Sequence, residues 1–338
     1  MKYLNFIFLL AMMFVSVSTA HAQLQSLDNQ SGGIIINSDP ANPKPRQFVT
    51  VTIQSYTTDL DRSEVSWFVN GVLQKKAIGE KSFLFKTGGL GSFSNILVTI
   101  KTPEGEFLQS VLNINPASLD LMWEAQSYTP PFFEGKASYP FEGSVKIVAM
   151  PSISNENGVA INPKTLVYTW SINGDAVSKV SGYGRNFMFL DGTIPINATT
   201  VSVEAATLDK KYVAKNSITI TPSSSQIILY EDSPTLGVLY NKALTGSLDL
   251  QNQEIRIASI PFFLSAKNRE DGTLKYEWTQ NDQQVNSSDT SSLSFKQSGG
   301  AAGNALIGVQ VSHLTKILQF VHSGLSINFG QSVSGGVF

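Results

Sequence analysis

Trp67-Phe68-Val69-Asn70-Gly71 recurs as Trp170-Ser171-Ile172-Asn173-Gly174 and as Trp278-Thr279-Gln280-Asn281-Asp282. The tryptophans stand 103 and 108 residues apart in a chain of 338. A period near 100 residues is the size of one β-sandwich module. Each tryptophan follows apolar residues at strand spacing. Val65, Tyr168 and Tyr276 lie two positions earlier, and Leu166 and Leu274 lie four earlier. That period of two puts them on the tryptophan's own face. Asn-Gly after the first two tryptophan strands supplies the positive-φ pair of a tight hairpin. Asn281-Asp282 departs from that pair, so a looser third turn is expected.

The flanking landmarks repeat in order. Val49 to Ile53, Val145 to Ala149 and Ile255 to Ala258 alternate with β-branched residues, the signature of one buried and one wet face. After each turn come Phe83-Leu84-Phe85, Phe187-Met188-Phe189 and Leu293-Ser294-Phe295, then a further strand pattern. Pro116 and Pro222 follow the closing strands of the first two copies and mark boundaries, because proline cannot continue a ladder. No stretch beyond the first residues holds a helical period over ten positions. The expected fold is all-β: three tandem immunoglobulin-like sandwiches after a cleaved signal peptide. The expected organisation is a signal peptide over 1–22, a lead segment over 23–37, modules over 38–116, 117–222 and 223–330, and a tail over 331–338. The signal rests on Lys2, the apolar run Leu4 to Val17, and Ala20-His21-Ala22 as a small-x-small cleavage site.

These landmarks, with Ser38-Asp39-Pro40 and Pro43-Lys44-Pro45 ahead of the first alternating strand, carry a resemblance. The chain resembles the tandem immunoglobulin-like and PKD-like modules of bacterial exported and surface proteins. The resemblance implies extracellular scaffolding or adhesion and brings no catalytic residues with it.

Composition narrows the chemistry. Charged residues are 15% of the chain and the formal net charge is −2, which disfavours nucleic acid and polybasic membrane attachment. No later stretch is apolar enough for a membrane span. There is no cysteine, so disulfides and thiolate chemistry are excluded. Past the expected cleavage site only His313 and His322 remain, with no third histidine for zinc and no acid close in sequence for a catalytic triad. Asp59-Leu60-Asp61 with Glu64, and Glu231-Asp232, are the acidic clusters considered for calcium; a calcium site wants more carboxylates, and no cofactor is expected. The glycine runs at 88–91 and 299–303 precede no helix start and read as wide turns rather than phosphate loops.

Modules two and three carry a leader that module one lacks: Leu121-Met122-Trp123-Glu124 in one, Ile228-Leu229-Tyr230-Glu231 in the other. After it come Tyr128, Phe132, Phe133, Tyr139 and Phe141, which form either an aromatic ligand platform or a packing seam between modules. Recurrence of apolar positions at Leu236, Val238, Leu239 and Tyr240 favours the seam. The function expected is that of an exported, non-catalytic protein in adhesion, binding or scaffolding, with protein or glycan at the cell surface as partner. The alternative is a structural subunit that self-assembles by strand addition through Gln23 to Ile36 or Gly330 to Phe338; a hydrolase ranks below both.

Overall fold

The computed structural model describes residues 33–250, 254–285, 291–297 and 302–330. The expected signal peptide, most of the lead segment, the glycine run at 299–301 and the tail lie outside the described residues. Among those described there is no α-helix, and no helix is long and apolar enough to cross a membrane. The chain divides into two compact units. One holds Phe48–Lys86 and Ser94–Ile114 with the strand before them. The other holds Asn115–Phe338 with the short stretches Asn42–Gln47 and Thr87–Phe93.

The first sandwich contains β1 (Ile34–Asp39), β2 (Phe48–Ser55), β3 (Glu64–Val69), β4 (Val72–Ile78), β5 (Ser82–Lys86), β6 (Ser94–Lys101) and β7 (Phe107–Ile114). Two antiparallel sheets form in the orders β1-β2-β5 and β4-β3-β6-β7. Val49, Val51 and Ile53 point inward from β2 while their neighbours point out, as the alternation predicts. Trp67 is fully buried between the sheets, stacked on Phe83 at 5.7 Å, and its indole N–H donates to the Glu80 carbonyl at 3.0 Å. Sequence places the start of this module at Ser38. The structure starts it earlier: β1 pairs with β2 from Ile34 onward and Ile34 sits in the core. The Ile34-Ile35-Ile36 part of the lead segment is therefore the opening strand. Burying its apolar side chain stabilises it more than solvent would.

The second sandwich repeats the plan. Its strands are β8 (Ser118–Ala125), β9 (Ser144–Ser152), β10 (Val167–Ile172), β11 (Asp175–Ala176), β12 (Gly182–Tyr183), β13 (Phe187–Asp191), β14 (Thr199–Ala206) and β15 (Val213–Ile220). The sheets run β13-β9-β8 and β11-β10-β14-β15, with β12 also on β10. Trp170 lies in this core and donates its indole N–H to the Arg185 carbonyl at 2.8 Å.

The third contains β16 (Gln226–Ser233), β17 (Gly237–Leu244), β18 (Ser247–Asp249), β19 (Glu254–Phe262), β20 (Leu274–Gln280), β21 (Gln283–Val285), β22 (Ser292–Lys296), β23 (Gly303–His313) and β24 (Phe320–Phe329). Its sheets run β17-β16-β19-β22 and β18-β24-β23-β20-β21, with β18 parallel to β24. Trp278 is buried in the core of this sandwich. In all three, the first, second and fifth main strands share one sheet, and the third, fourth, sixth and seventh share the other. This is the immunoglobulin-like arrangement, with the tryptophan on the third strand.

One residue type explains the repeat better than the dipeptide did. Asn70, Asn173 and Asn281 each adopt positive φ, at 51°, 51° and 49°. Each side-chain oxygen accepts a backbone N–H across the sheet, from Asn95 at 2.8 Å, Thr200 at 2.9 Å and Leu306 at 2.9 Å. The third turn is not looser. Asp282 takes φ 62°, where the other copies use Gly71 and Gly174. Asparagine tolerates the left-handed region and its short amide reaches the neighbouring strand, so it secures the turn whatever follows it.

Candidate binding site at the seam of modules two and three

The leader is no separate element. Its apolar start is the first strand of each sandwich, β8 and β16, with Leu119 and Leu229 in the respective cores. What modules two and three add is a long connection to the next strand. In module two, residues 126–143 make that connection and reach module three.

The reach is secured by backbone first. Tyr128 N–H donates to the Leu264 carbonyl, and Phe263 N–H donates back to the Tyr128 carbonyl, both at 2.8 Å. Ser223 N–H donates to the Tyr139 carbonyl at 2.8 Å, while within module three the Ser225 hydroxyl holds the Phe263 carbonyl at 2.8 Å. Side chains then add a polar clamp. Buried Gln319 donates to the Phe141 carbonyl at 2.6 Å and to the Ser265 hydroxyl at 2.8 Å, and accepts from Ser265 N–H at 2.8 Å. The Glu142 carboxylate accepts from Leu318 N–H at 2.7 Å, and Lys316 Nζ donates to the Glu142 carbonyl at 2.5 Å. A primary amide with both ends used is fully satisfied, so its burial costs little.

His313 belongs to this clamp. Its Nε2 meets the Ser265 carbonyl at 3.1 Å, and its Nδ1 accepts from Thr315 N–H at 3.2 Å. A carbonyl can only accept and an amide N–H can only donate, so the ring is neutral with the proton on Nε2. Burial, with the nearby Lys316 cation, lowers its pKa below the ordinary 6.5; the Ser265 bond and the Asp271 and Glu142 carboxylates act the other way. His322 lies elsewhere, on β24, opposite Gln310.

The apolar part of the seam is a cluster of Tyr230, Ala258, Ile260, Phe262 and Phe263, against which Phe133, Ile228, Val238 and Tyr240 pack. It lies on the outer face of the sheet of module three. There β19 is buried from Ile257 to Phe262 without alternation, because its second face is covered. Phe133 is the plug from module two, with ring centroids 5.5 Å from Phe263 and 5.9 Å from Phe262.

The five aromatic residues expected to form one surface do not share one. Tyr139 is buried in the core of module two. Phe141 is half-buried and contributes its carbonyl to Gln319. Phe133 is packed in the seam. Tyr128 is half-buried at the seam; burial first, then the Tyr240 and Glu270 charges against that of Arg269, push its phenol up to about 12. Phe132 alone faces outward. It is 88% exposed, sits at φ 67°, and meets Tyr240 edge to face at 6.1 Å. Tyr230, Tyr240 and Asp232 from the sequence reading complete this corner, together with Arg256, Arg269 and Glu270, which sequence did not single out. Tyr240 packs on Tyr230 at 5.4 Å. Arg269 Nε pairs with Glu270 at 2.5 Å, and Arg256 Nε pairs with Asp232 at 3.1 Å. A signal was present: Ile257-Ala258-Ser259-Ile260-Pro261-Phe262-Phe263-Leu264 is nearly continuous in apolar character, the pattern of a strand covered on both faces.

The acidic clusters are otherwise engaged. Asp61 pairs with Lys81 at 2.8 Å and Glu64 with Lys76 at 2.9 Å, while the Asp59 carboxylate accepts Asp61 N–H at 3.1 Å. Among the described residues no three His, Asp or Glu side chains gather to hold a metal ion.

No family model matches the chain, and no curated protein matches it. Among solved structures, the three N-terminal domains of the bacteriophage RB49 highly immunogenic outer capsid protein are 12% identical. They cover 88% of this chain and 99% of their own, with a TM-score of 0.26. The fibronectin(III)-like modules of Clostridium thermocellum CbhA are 11% identical over 56% of this chain and 94% of theirs, with a TM-score of 0.27. Bacteroides ovatus SGBP-B, solved with a mixed-linkage heptasaccharide, is 10% identical over 91% of this chain and 70% of its own, with a TM-score of 0.20. At such scores the immunoglobulin-like assignment rests on the strand orders and the three cores.

Proposed function

We propose that the protein is an exported, non-catalytic binding protein of a bacterial surface or envelope. It would act in adhesion or scaffolding toward protein or glycan. Its second and third modules work as one body, and the contact surface lies at their seam. The observation that carries this is Phe132: a large ring 88% exposed, on positive-φ backbone, at the tip of a connection whose flanks are tied down by hydrogen bonds. Exposing a phenylalanine forgoes burial worth about 2 kcal/mol, and left-handed backbone costs a bulky residue about 1–2 kcal/mol. A partner that covers the ring recovers the burial term, while the hydrogen bonds flanking the connection offset the backbone term. His313 supports a non-catalytic reading, since both ring nitrogens are committed to the clamp.

The test is capture of envelope proteins and glycans by the mature chain, run beside Phe132→Ala and Phe133→Ala. Loss of capture with Phe132→Ala at an unchanged melting temperature is the expected result. Undiminished capture by that variant removes the seam from the function.

A further inference from the structure

We propose that the seam corner formed by Phe132, Tyr128, Tyr240 and Arg269 binds a neutral saccharide; this deepens the binding reading above and rests on it. Three observations point to that chemistry. The first is the pair of rings: Phe132 stands over Tyr240 edge to face at 6.1 Å, which leaves most of Phe132 uncovered. Exposed rings offer an apolar surface to the C–H face of a pyranose without demanding a particular side chain.

The second is Arg269. Its Nε is bonded to Glu270, but its Nη1 is buried and finds no hydrogen-bond partner among the described residues. A buried donor left unmade is costly, and a charged one more so. The Glu270 carboxylate that holds Arg269 also accepts the Ser291 hydroxyl at 3.5 Å, and Ser292 beside it stands opposite Ala258, itself opposite Tyr230, whose ring packs on Tyr240 at 5.4 Å. Donors and acceptors beside exposed rings match the alternating apolar faces and hydroxyl rims of a sugar.

The third is charge. Arg269 is matched by Glu270 and Arg256 by Asp232, and on the connection itself exposed Glu134 is offset by exposed Lys136, so neither sign is in excess among these groups. An anionic sugar or an acidic or basic peptide would gain nothing from this balance, and its charge would have to be desolvated. A neutral hexose polymer carries no such cost.

The experiment is isothermal titration of the full mature chain with neutral gluco-, manno- and xylo-oligosaccharides, a uronate oligosaccharide and a mixed peptide library. Phe132→Ala and Arg269→Lys are run in parallel, with melting temperatures recorded. Expected is binding of at least one neutral series, weakened tenfold or more by Phe132→Ala at an unchanged melting temperature. Arg269→Lys, which keeps the charge but loses the fork, is expected to weaken it as well. Binding of the neutral series that Phe132→Ala leaves intact overturns the proposal, as does preference for the uronate or for a peptide. If no saccharide binds while the chain still captures envelope protein through Phe132, the saccharide site is wrong and the binding function stands. If nothing is captured at all, both fail.

Discussion

Replacing Asn173 by alanine removes an amide that accepts Thr200 N–H at 2.9 Å and forces alanine to hold φ near 51°. The lost bond and the left-handed backbone together cost about 2 kcal/mol. A lower urea midpoint for the unit that holds modules two and three is the expected readout. Asp282→Gly works in reverse at the equivalent turn. It relieves about 1 kcal/mol of positive-φ strain and gives back about 0.5 kcal/mol through the freer unfolded chain. A small rise in the midpoint, near 0.5 kcal/mol, is expected; a fall would show that Asp282 makes more of its side chain than its backbone suggests. His313 adds a pH dependence at this same scale. Its folded pKa is lowered, so the unfolded state binds the proton more tightly. Its contribution to stability is fully present above the ordinary value of 6.5 and is lost as pH falls below it. Once protonated, Nδ1–H faces Thr315 N–H and the bond becomes a repulsion. Protection of the Ser265, Thr315 and Gln319 amides, referred to the intrinsic exchange rate at each pH, is expected to fall from about pH 7.5 to about pH 5.5. His313→Gln should flatten that response.

The connection at 126–143 shows how one element divides its residues between two tasks. Phe132 and Phe133 are adjacent and chemically identical, yet one is open to solvent and the other fills the seam. Phe133→Ala should leave a cavity among Phe262, Phe263 and Tyr230 and cost about 3 kcal/mol. Faster hydrogen exchange along β16 and β19, without loss of the three cores, is the expected signature. Equal protection in variant and parent would mean that the polar clamp alone holds the seam. Sequence told the strands of this region apart from its connection, because alternation is a local signal. It did not tell the two phenylalanines apart. A connection has no period, and the ring partners of Phe133, Phe262 and Phe263, lie 129 and 130 residues away.

For the whole molecule, two compact units predict two calorimetric transitions rather than three. The larger should belong to modules two and three, whose seam combines backbone bonds, a buried amide and an aromatic cluster. Gln319→Ala combined with Phe133→Ala should split that larger transition. If the parent chain already melts in three steps, the seam does not couple the modules. The expected alternative of strand addition belongs to this scale too. Among the described residues β1 lies at a sheet edge and pairs with β2 on one side. Light scattering at rising concentration would report assembly through it.

Sequence alone determined the strands, the three tryptophan cores and the asparagine turns. Each follows from side-chain period, ring size or φ preference within a few residues, and these are short-range causes. It placed the first boundary four residues late and expected a looser third turn, since pairing and amide reach are settled across the sheet. Tertiary structure alone decided the seam. Gln319 meets Phe141 from 178 positions away, and Leu318 meets Glu142 from 176. No local pattern selects such a pair. Only the docking of one finished sandwich on the next brings buried donor to buried acceptor and leaves Phe132 outside.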